Sequence, residues 1–230
     1  MWAKDLFFIT VCDVKSGRDE AAYSQMEKLR SNGSVTPLVV GRLFQEADIM
    51  LLLHSTEMEA LDDYLIKNVR SIEDIQELIV VPIYEFKLLS SFDFMIEPEP
   101  KTEGTSLTSY EPEELLFFMA KLDVAPTKDV AVYQRISSIE PTGNVIPIMM
   151  GHTFHSREFD LVIFFLAKSL ESAWEFVKTL RVIDGVWDTD VDLMAHFEGL
   201  TTLKRFKELA STVPAKSGPR RRVRKRKVAK

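Results

Sequence analysis

Val35-Thr-Pro-Leu-Val-Val-Gly-Arg-Leu-Phe44 is the stretch that decides the fold, because Val145-Ile-Pro-Ile-Met-Met-Gly-His-Thr-Phe154 repeats its pattern 110 positions later. Val, Pro, Gly and Phe recur at the same offsets, and the positions between them are largely apolar in both copies. A second echo has the same spacing. Leu6-Phe-Phe-Ile-Thr-Val-Cys-Asp-Val14 and Leu116-Phe-Phe-Met-Ala-Lys-Leu-Asp-Val124 keep five of nine residues, where ordinary composition would give about one or fewer. The unit is much longer than a solenoid repeat, so each copy reads as a small domain in a duplicated chain.

At 230 residues the chain suits one large domain or two small ones, and the repetition favours two. Hydrophobic residues make up 46% and charged residues 28%, values of a soluble globular protein. No apolar run reaches the roughly 18–20 residues that span a bilayer. The first residues enter a short amphipathic strand without a small-residue cleavage site, so no signal peptide is expected. The single Cys12 cannot close an intrachain disulfide, and its apolar strand reads it as a core thiol. A reducing, cytoplasmic setting follows as the expectation. The net charge of −6 is unevenly spread: residues 216–230 hold nine Lys or Arg and no acid, which leaves −15 on the rest.

Outward from the repeated stretch, each copy reads strand, helix, strand, strand, helix, strand. In the first, Leu6 to Val14 is an apolar strand, and Ala22, Tyr23, Met26 and Leu29 mark an amphipathic helix. Val35 to Phe44 is the second strand. Pro37 cannot donate a ladder hydrogen bond, which sends this strand to a sheet edge, and Gly41 suggests a bulge or a close backbone approach. Asp48 opens a third strand, Ser55-Thr56 with Glu59 resembles a helix cap, and Leu78 to Phe86 is a last strand whose Pro82 marks another edge. The order βαββαβ is the ferredoxin-like split βαβ unit, with its second and fourth strands at the edges. The second copy follows suit, with Asp160 opening its third strand. Val191, Leu193, Ala195 and Phe197 alternate there with Asp190, Asp192, Met194 and His196 as a half-exposed strand.

The expected division is residues 1–89 for the first repeat, a Pro/Glu-rich linker over 90–114, a second repeat over 115–210, and a basic tail over 211–230. Four strands and two helices leave one sheet face bare in each copy, so two copies are expected to pack face to face within the chain. Edge strands could also pair between chains, and a homo-oligomer is expected.

Two segments carry a family resemblance. Asp48-Ile-Met-Leu-Leu-Leu with Val69-Arg-Ser-Ile-Glu-Asp-Ile75, and Asp160-Leu-Val-Ile-Phe-Phe with Val177-Lys-Thr-Leu-Arg-Val-Ile-Asp-Gly-Val-Trp-Asp-Thr189, resemble the Lrp/AsnC effector-binding domain. Gln45 and Arg157 stand where that family usually has Gly, and Leu78 stands where Thr189 fits its phrase. The resemblance implies an α+β dimeric α/β-barrel, here formed within one chain, that senses amino-acid-like molecules. The chain enters its first strand by Leu6, so operator reading by the family's helix-turn-helix is not expected. The function this implies is a non-enzymatic, transcription-related sensor or interaction module without a cofactor. The alternative is an enzyme of the same superfamily: a chlorite dismutase-like haem protein, to whose first repeat Val40-Gly-Arg-Leu-Phe-Gln-Glu-Ala-Asp-Ile49 is loosely similar, or a cofactor-free monooxygenase.

No metal spacing, phosphate-binding glycine loop or nucleophile elbow is present. Arg42 and His152 follow the repeated Gly41 and Gly151, near hairpins whose far sides begin with Asp48 and Asp160. A cation beside an anion can hold the two charges of a zwitterionic effector, and these six residues are the ligand-binding candidates. The alternative is that each Asp caps its hairpin. His152 and His155 lie three apart, a poor metal pair on one strand. Asp188, Asp190 and Asp192 line one strand face, either to hold a divalent cation or as a solvated edge. In the tail, Arg220, Arg221, Arg222, Arg224, Lys225, Arg226 and Lys227 suit nonspecific binding to phosphate backbones. Anionic lipid and an acidic protein surface are the competing partners.

Overall fold

Alternation of large apolar residues makes Leu6–Val14 a strand (β1) buried on both faces. Phe7 and Ile9 point one way, and Leu6, Phe8, Cys12 and Val14 the other. The structure, a computed structural model, describes residues 6–44, 48–89, 115–153 and 158–212. After β1 come α1 (Asp19–Met26), β2 (Val35–Leu43), β3 (Ile49–Ser55), α2 (Met58–Tyr64) running into a π-helical stretch (Leu65–Val69), and β4 (Ile75–Leu88). The second half gives β5 (Leu116–Val124), α3 (Asp129–Ile136), β6 (Val145–Thr153), β7 (Leu161–Ala167), α4 (Leu170–Arg181), β8 (Val186–Gly199) and a further helix, α5 (Leu203–Thr212).

The eight strands close into one antiparallel barrel in the order β1-β3-β2-β8-β5-β7-β6-β4. Within each half the second and fourth strands are outermost. They are not free edges, which corrects the edge expectation for Pro37 and Pro82. β2 pairs with β8 from Val39 to Leu43, and β4 pairs with β6 from Ile83 to Leu88. Each proline sits just before the shared ladder begins. The bare faces likewise turn inward around one barrel interior, rather than forming two stacked sheets.

Three apolar cores result. Phe7, Ile9, Leu52, Phe117, Met119 and Phe164 are among those filling the barrel, Leu51, Tyr64 and Val69 pack beneath the first pair of helices, and Phe165, Phe176 and Leu180 beneath the second. Each fully buried side chain of this size contributes about 1.5–3 kcal/mol. One barrel end is stoppered by α5, whose Phe206 and Leu209 enter the interior core beside Phe86. Phe86 is itself stacked on Phe7 at 4.1 Å.

Two local expectations are corrected. The capping box at Ser55, Thr56 and Glu59 is absent: Glu57 is the N-cap, and Ser55 Oγ instead accepts from the Glu57 N–H at 3.2 Å. In β8, Val191 and Leu193 lie against the helices while Asp190 and Asp192 turn toward Lys121 and the barrel hollow. Asp192 is 1% exposed, so this is not a solvated edge. Cys12 is buried as expected, and burial, aided by Asp13, pushes its thiol up to about 12, which leaves it unreactive. Among the described residues no helix is long and apolar enough to cross a membrane.

Candidate functional site

Asp48 and Asp160 act first on the backbone. Asp48 Oδ2 accepts from the Val14 N–H at 2.7 Å, and Asp160 Oδ2 from the Val124 N–H at 2.8 Å. Each carboxylate thereby closes off the end of β1 or β5. Arg42 is turned away from Asp48 and toward α1. Its guanidinium contacts Asp19, and Nη1 lies 2.7 Å from Glu20 Oε2. The cation–anion pair expected across the first hairpin is therefore not assembled. Gly41 and Gly151 face the barrel interior: a Cβ at Gly151 would come within 2.9 Å of Ile83, and one at Gly41 would strike the end of Met194.

His152 has different surroundings. It sits on β6 opposite Glu85 of β4 and is 3% exposed. The Tyr84 hydroxyl lies against the ring, 2.8 Å from Nε2. Asp129 Oδ2 on α3 is 3.4 Å from Nε2, and Glu85 Oε2 is 4.0 Å from Nδ1. The Tyr133 ring, also on α3, stacks on the imidazole at 5.9 Å. Burial lowers the His152 pKa, partly offset by Asp129 and Asp160, so the ring is neutral at pH 7. Burial raises Glu85, with Lys87 opposing. It also raises Tyr84 and Tyr133, which stay protonated. A neutral imidazole with polar neighbours at both nitrogens can accept a proton at one and release it at the other.

Glu85 and Tyr133 form both one side of this cluster and the wall of a hollow of about 460 Å³ between β4, α3 and α5. Sequence reading singled out His152 and Asp160 but not Tyr84, Glu85, Asp129 or Tyr133. Two of these carried a signal: Asp19 and Asp129, and Tyr23 and Tyr133, match at the same 110-residue offset as the repeated strands.

Two other hollows frame the choice. The barrel end opposite α5 opens into about 670 Å³ lined by Asp13, Asp123, Glu158, Asp188, Asp190 and Asp192, with Lys121 as its cation. Lys121 Nζ lies 2.5 Å from Asp190 and 3.1 Å from Asp192. Burial alone would lower that ammonium's pKa, but the two aspartates outweigh it and hold the lysine charged. Burial and neighbouring carboxylates raise Asp13 and Asp123. A larger groove of about 1120 Å³ runs between α3 and α4 past Arg135, Ile139, Glu171 and Phe176. Among the described residues, no group of three metal-ligating side chains converges. His155, the linker and the tail residues Arg220, Arg221, Arg222, Arg224, Lys225, Arg226 and Lys227 lie outside the described residues.

No family model matches the chain, and no curated relative matches it. Solved structures do. A Fusobacterium nucleatum subsp. nucleatum ATCC 25586 protein, provisionally named a monooxygenase, superposes with a TM-score of 0.54 at 10% identity over 86% of this chain and 96% of that one. A Lactobacillus acidophilus NCFM protein of the same provisional name gives 0.50 at 9% identity, over 84% of this chain and 94% of that one. The siroheme decarboxylase NirDL, bound to an iron-uroporphyrin III analogue, gives 0.52 at 11% identity over 92% of this chain and 81% of NirDL.

These findings overturn the non-enzymatic regulator reading, because the similar folds bear the names of enzymes and nothing specific to Lrp/AsnC supports that resemblance. The strand-opening Asp48 and Asp160 that carried it accept the Val14 and Val124 amides. Haem iron takes an axial His, Cys, Met or Tyr; the large α3–α4 groove is lined by none of these, whereas the hollow of about 460 Å³ has Tyr133 on its wall. His54 packs against Phe7 inside the barrel, His196 against Tyr23, and His152 takes the Tyr84 hydroxyl. The shared architecture is that of a dimeric α/β-barrel.

Proposed function

We propose that the chain is a monooxygenase-type enzyme of the dimeric α/β-barrel kind that works on a small carbon acid without haem. Residues 1–89 and 115–210 would be two copies of one ferredoxin-like unit, joined by 90–114. The provisional names of the two bacterial proteins of like fold point in this direction. The observation that carries the reading is the contact of Glu85 with both the hollow and His152.

A carboxylate whose pKa is raised by burial suits a general base. Glu85 takes a proton from an activated CH₂ group. Tyr133 lines the same hollow as the hydroxyl able to donate to the substrate oxygen on which charge collects. His152 relays the proton from behind, held in place by Tyr84 and Asp129. The resulting carbanion is itself the reductant and dioxygen the oxidant: CH₂ and O₂ become C=O and H₂O, so no other electron donor is required.

Oxygen uptake with indan-2-one and cyclic 1,3-diketones tests this. Wild-type protein should consume oxygen above the buffer rate, and Glu85→Gln should lose about 10²–10⁴-fold of the rate. Equal uptake by the two proteins would sink the reading.

A further inference from the structure

We infer that the first residues of β4 form a self-association surface, where two copies of the chain pair antiparallel about a twofold axis at Ile79. β4 and β8 are each 14 residues long, and barrel closure engages only their later residues. β8 meets β2 from Met194 onward, and β4 meets β6 from Ile83 onward. Before those points each has a ladder on one side only, β4 with β1 and β8 with β5. In β1 the Cys12 carbonyl accepts from the Asp48 N–H at 3.1 Å, and the Val14 N–H donates to the Asp48 carboxylate at 2.7 Å. Cys12 and Val14 thus direct their backbone groups toward β3. Backbone direction alternates along a strand, so Val11 and Asp13 serve β4, opposite Ile79 and Glu77. Leu78 and Val80 lie opposite Cys12 and Thr10. They therefore turn their N–H and C=O groups away from β1, out of the sheet edge.

The equivalent edge of the other half is closed by its own side chains. Thr189 and Val191 of β8 lie opposite Leu122 and Ala120, the counterparts of Cys12 and Thr10. The Thr189 N–H donates to Asp188 Oδ1 at 2.7 Å, and the Val191 N–H to Asp190 Oδ1 at 2.9 Å. Arg181 donates to the Thr189 carbonyl at 2.9 Å. In β4, Glu77 and Ile79 stand where those two aspartates do, and among the described residues nothing takes up the outward amides of Leu78 and Val80. An uncapped edge of Leu, Ile and Val is a template for another strand. The occupant is a second copy, because the edge complements itself. Pairing about Ile79 sets Leu78 opposite the partner's Val80, so each outward N–H meets an outward C=O. Glu77 falls opposite the partner's Val81, and no like charges meet. Pro82, without an N–H, ends the ladder opposite the partner's Gln76. Leu78, Ile79 and Val80 are only half-buried in the single chain, and the pairing covers them.

The test is sedimentation velocity of the full chain over a concentration series. Wild type should reach twice the mass of one chain, and Val80→Pro should weaken that association about tenfold or more. Proline here removes an outward N–H that the single chain leaves unbonded, and an edge strand tolerates it. Circular dichroism shows whether the variant keeps its fold. Disulfide trapping tests the axis independently of that variant. Ile79→Cys faces its own copy across the twofold and should cross-link about tenfold faster than Glu77→Cys, which does not. The native Cys12 is buried in both. A dimer undiminished in folded Val80→Pro places the interface elsewhere and overturns the inference. A wild type that stays monomeric, or equal cross-linking by the two cysteine variants, overturns it as well and leaves the edge to a strand of another protein.

Discussion

The Asp160 carboxylate accepts the backbone N–H of Val124 at 2.8 Å, and the Asp48 carboxylate does the same for Val14 at 2.7 Å. Each bond ties the start of a central hairpin strand to the end of the strand beside it. Asp160→Ala or Asp48→Ala leaves a partly buried amide without its acceptor. Each should cost about 1–3 kcal/mol, read as a lower denaturation midpoint, while Asn in either place should cost less because it keeps an acceptor oxygen.

Gly151 and Gly41 should answer differently to alanine. A Cβ at Gly151 meets Ile83 at 2.9 Å and Val162 at 3.2 Å, both β-branched and stiff. A Cβ at Gly41 meets the flexible end of Met194. Gly151→Ala should lose about 1–3 kcal/mol, and Gly41→Ala clearly less, in parallel urea titrations.

Lys121 holds Asp190 and Asp192 inside the barrel mouth. Lys121→Met removes the cation beside a carboxylate that is 1% exposed, and should destabilise by about 3–5 kcal/mol at pH 7. Lys121→Arg, which keeps the charge, should recover most of that loss in the same denaturation measurement. No recovery would show that the fit of the lysine stem, not its charge, is what matters.

His152 gives stability a pH dependence of known sign. Its folded pKa lies below the ordinary 6.5, so the unfolded chain binds the proton more readily. The favourable state is therefore complete above pH 6.5 and is lost as pH falls from there toward the folded value. The Tm of the wild type should drop further between pH 7.5 and 5 than that of His152→Gln. Glu85, Asp129, Tyr84 and Tyr133 surround the ring in both measurements. Parallel curves would show that His152 carries no such shift.

The element order was legible because Leu6–Val14 and Leu116–Val124 share five residues, and because Pro37 and Pro82 both fall on outermost strands of their halves. Barrel closure was legible only through the family resemblance, since the β2–β8 and β4–β6 ladders join residues far apart in sequence that carry no mutual pattern. The face of β8 was misread for a related reason. Helices cover the outside, so Val191 and Leu193 find apolar cover there while Asp190 and Asp192 point inward. Period-two alternation states that two faces differ, not which one is inside. At the site, His152 stood out beside the repeated glycine. Tyr84 and Glu85 did not, because they come from a strand of the other half and only the register of β4 against β6 brings them to the ring.

Deuterium exchange under anaerobic conditions tests the proton-abstracting role of Glu85 without any contribution from oxygen. Indan-2-one incubated with the protein in D₂O should exchange its CH₂ hydrogens faster than in buffer, with the excess cut about 10²-fold or more in Glu85→Gln. Exchange no faster than buffer, or equally fast in Glu85→Gln, would contradict the assignment of Glu85 as the base.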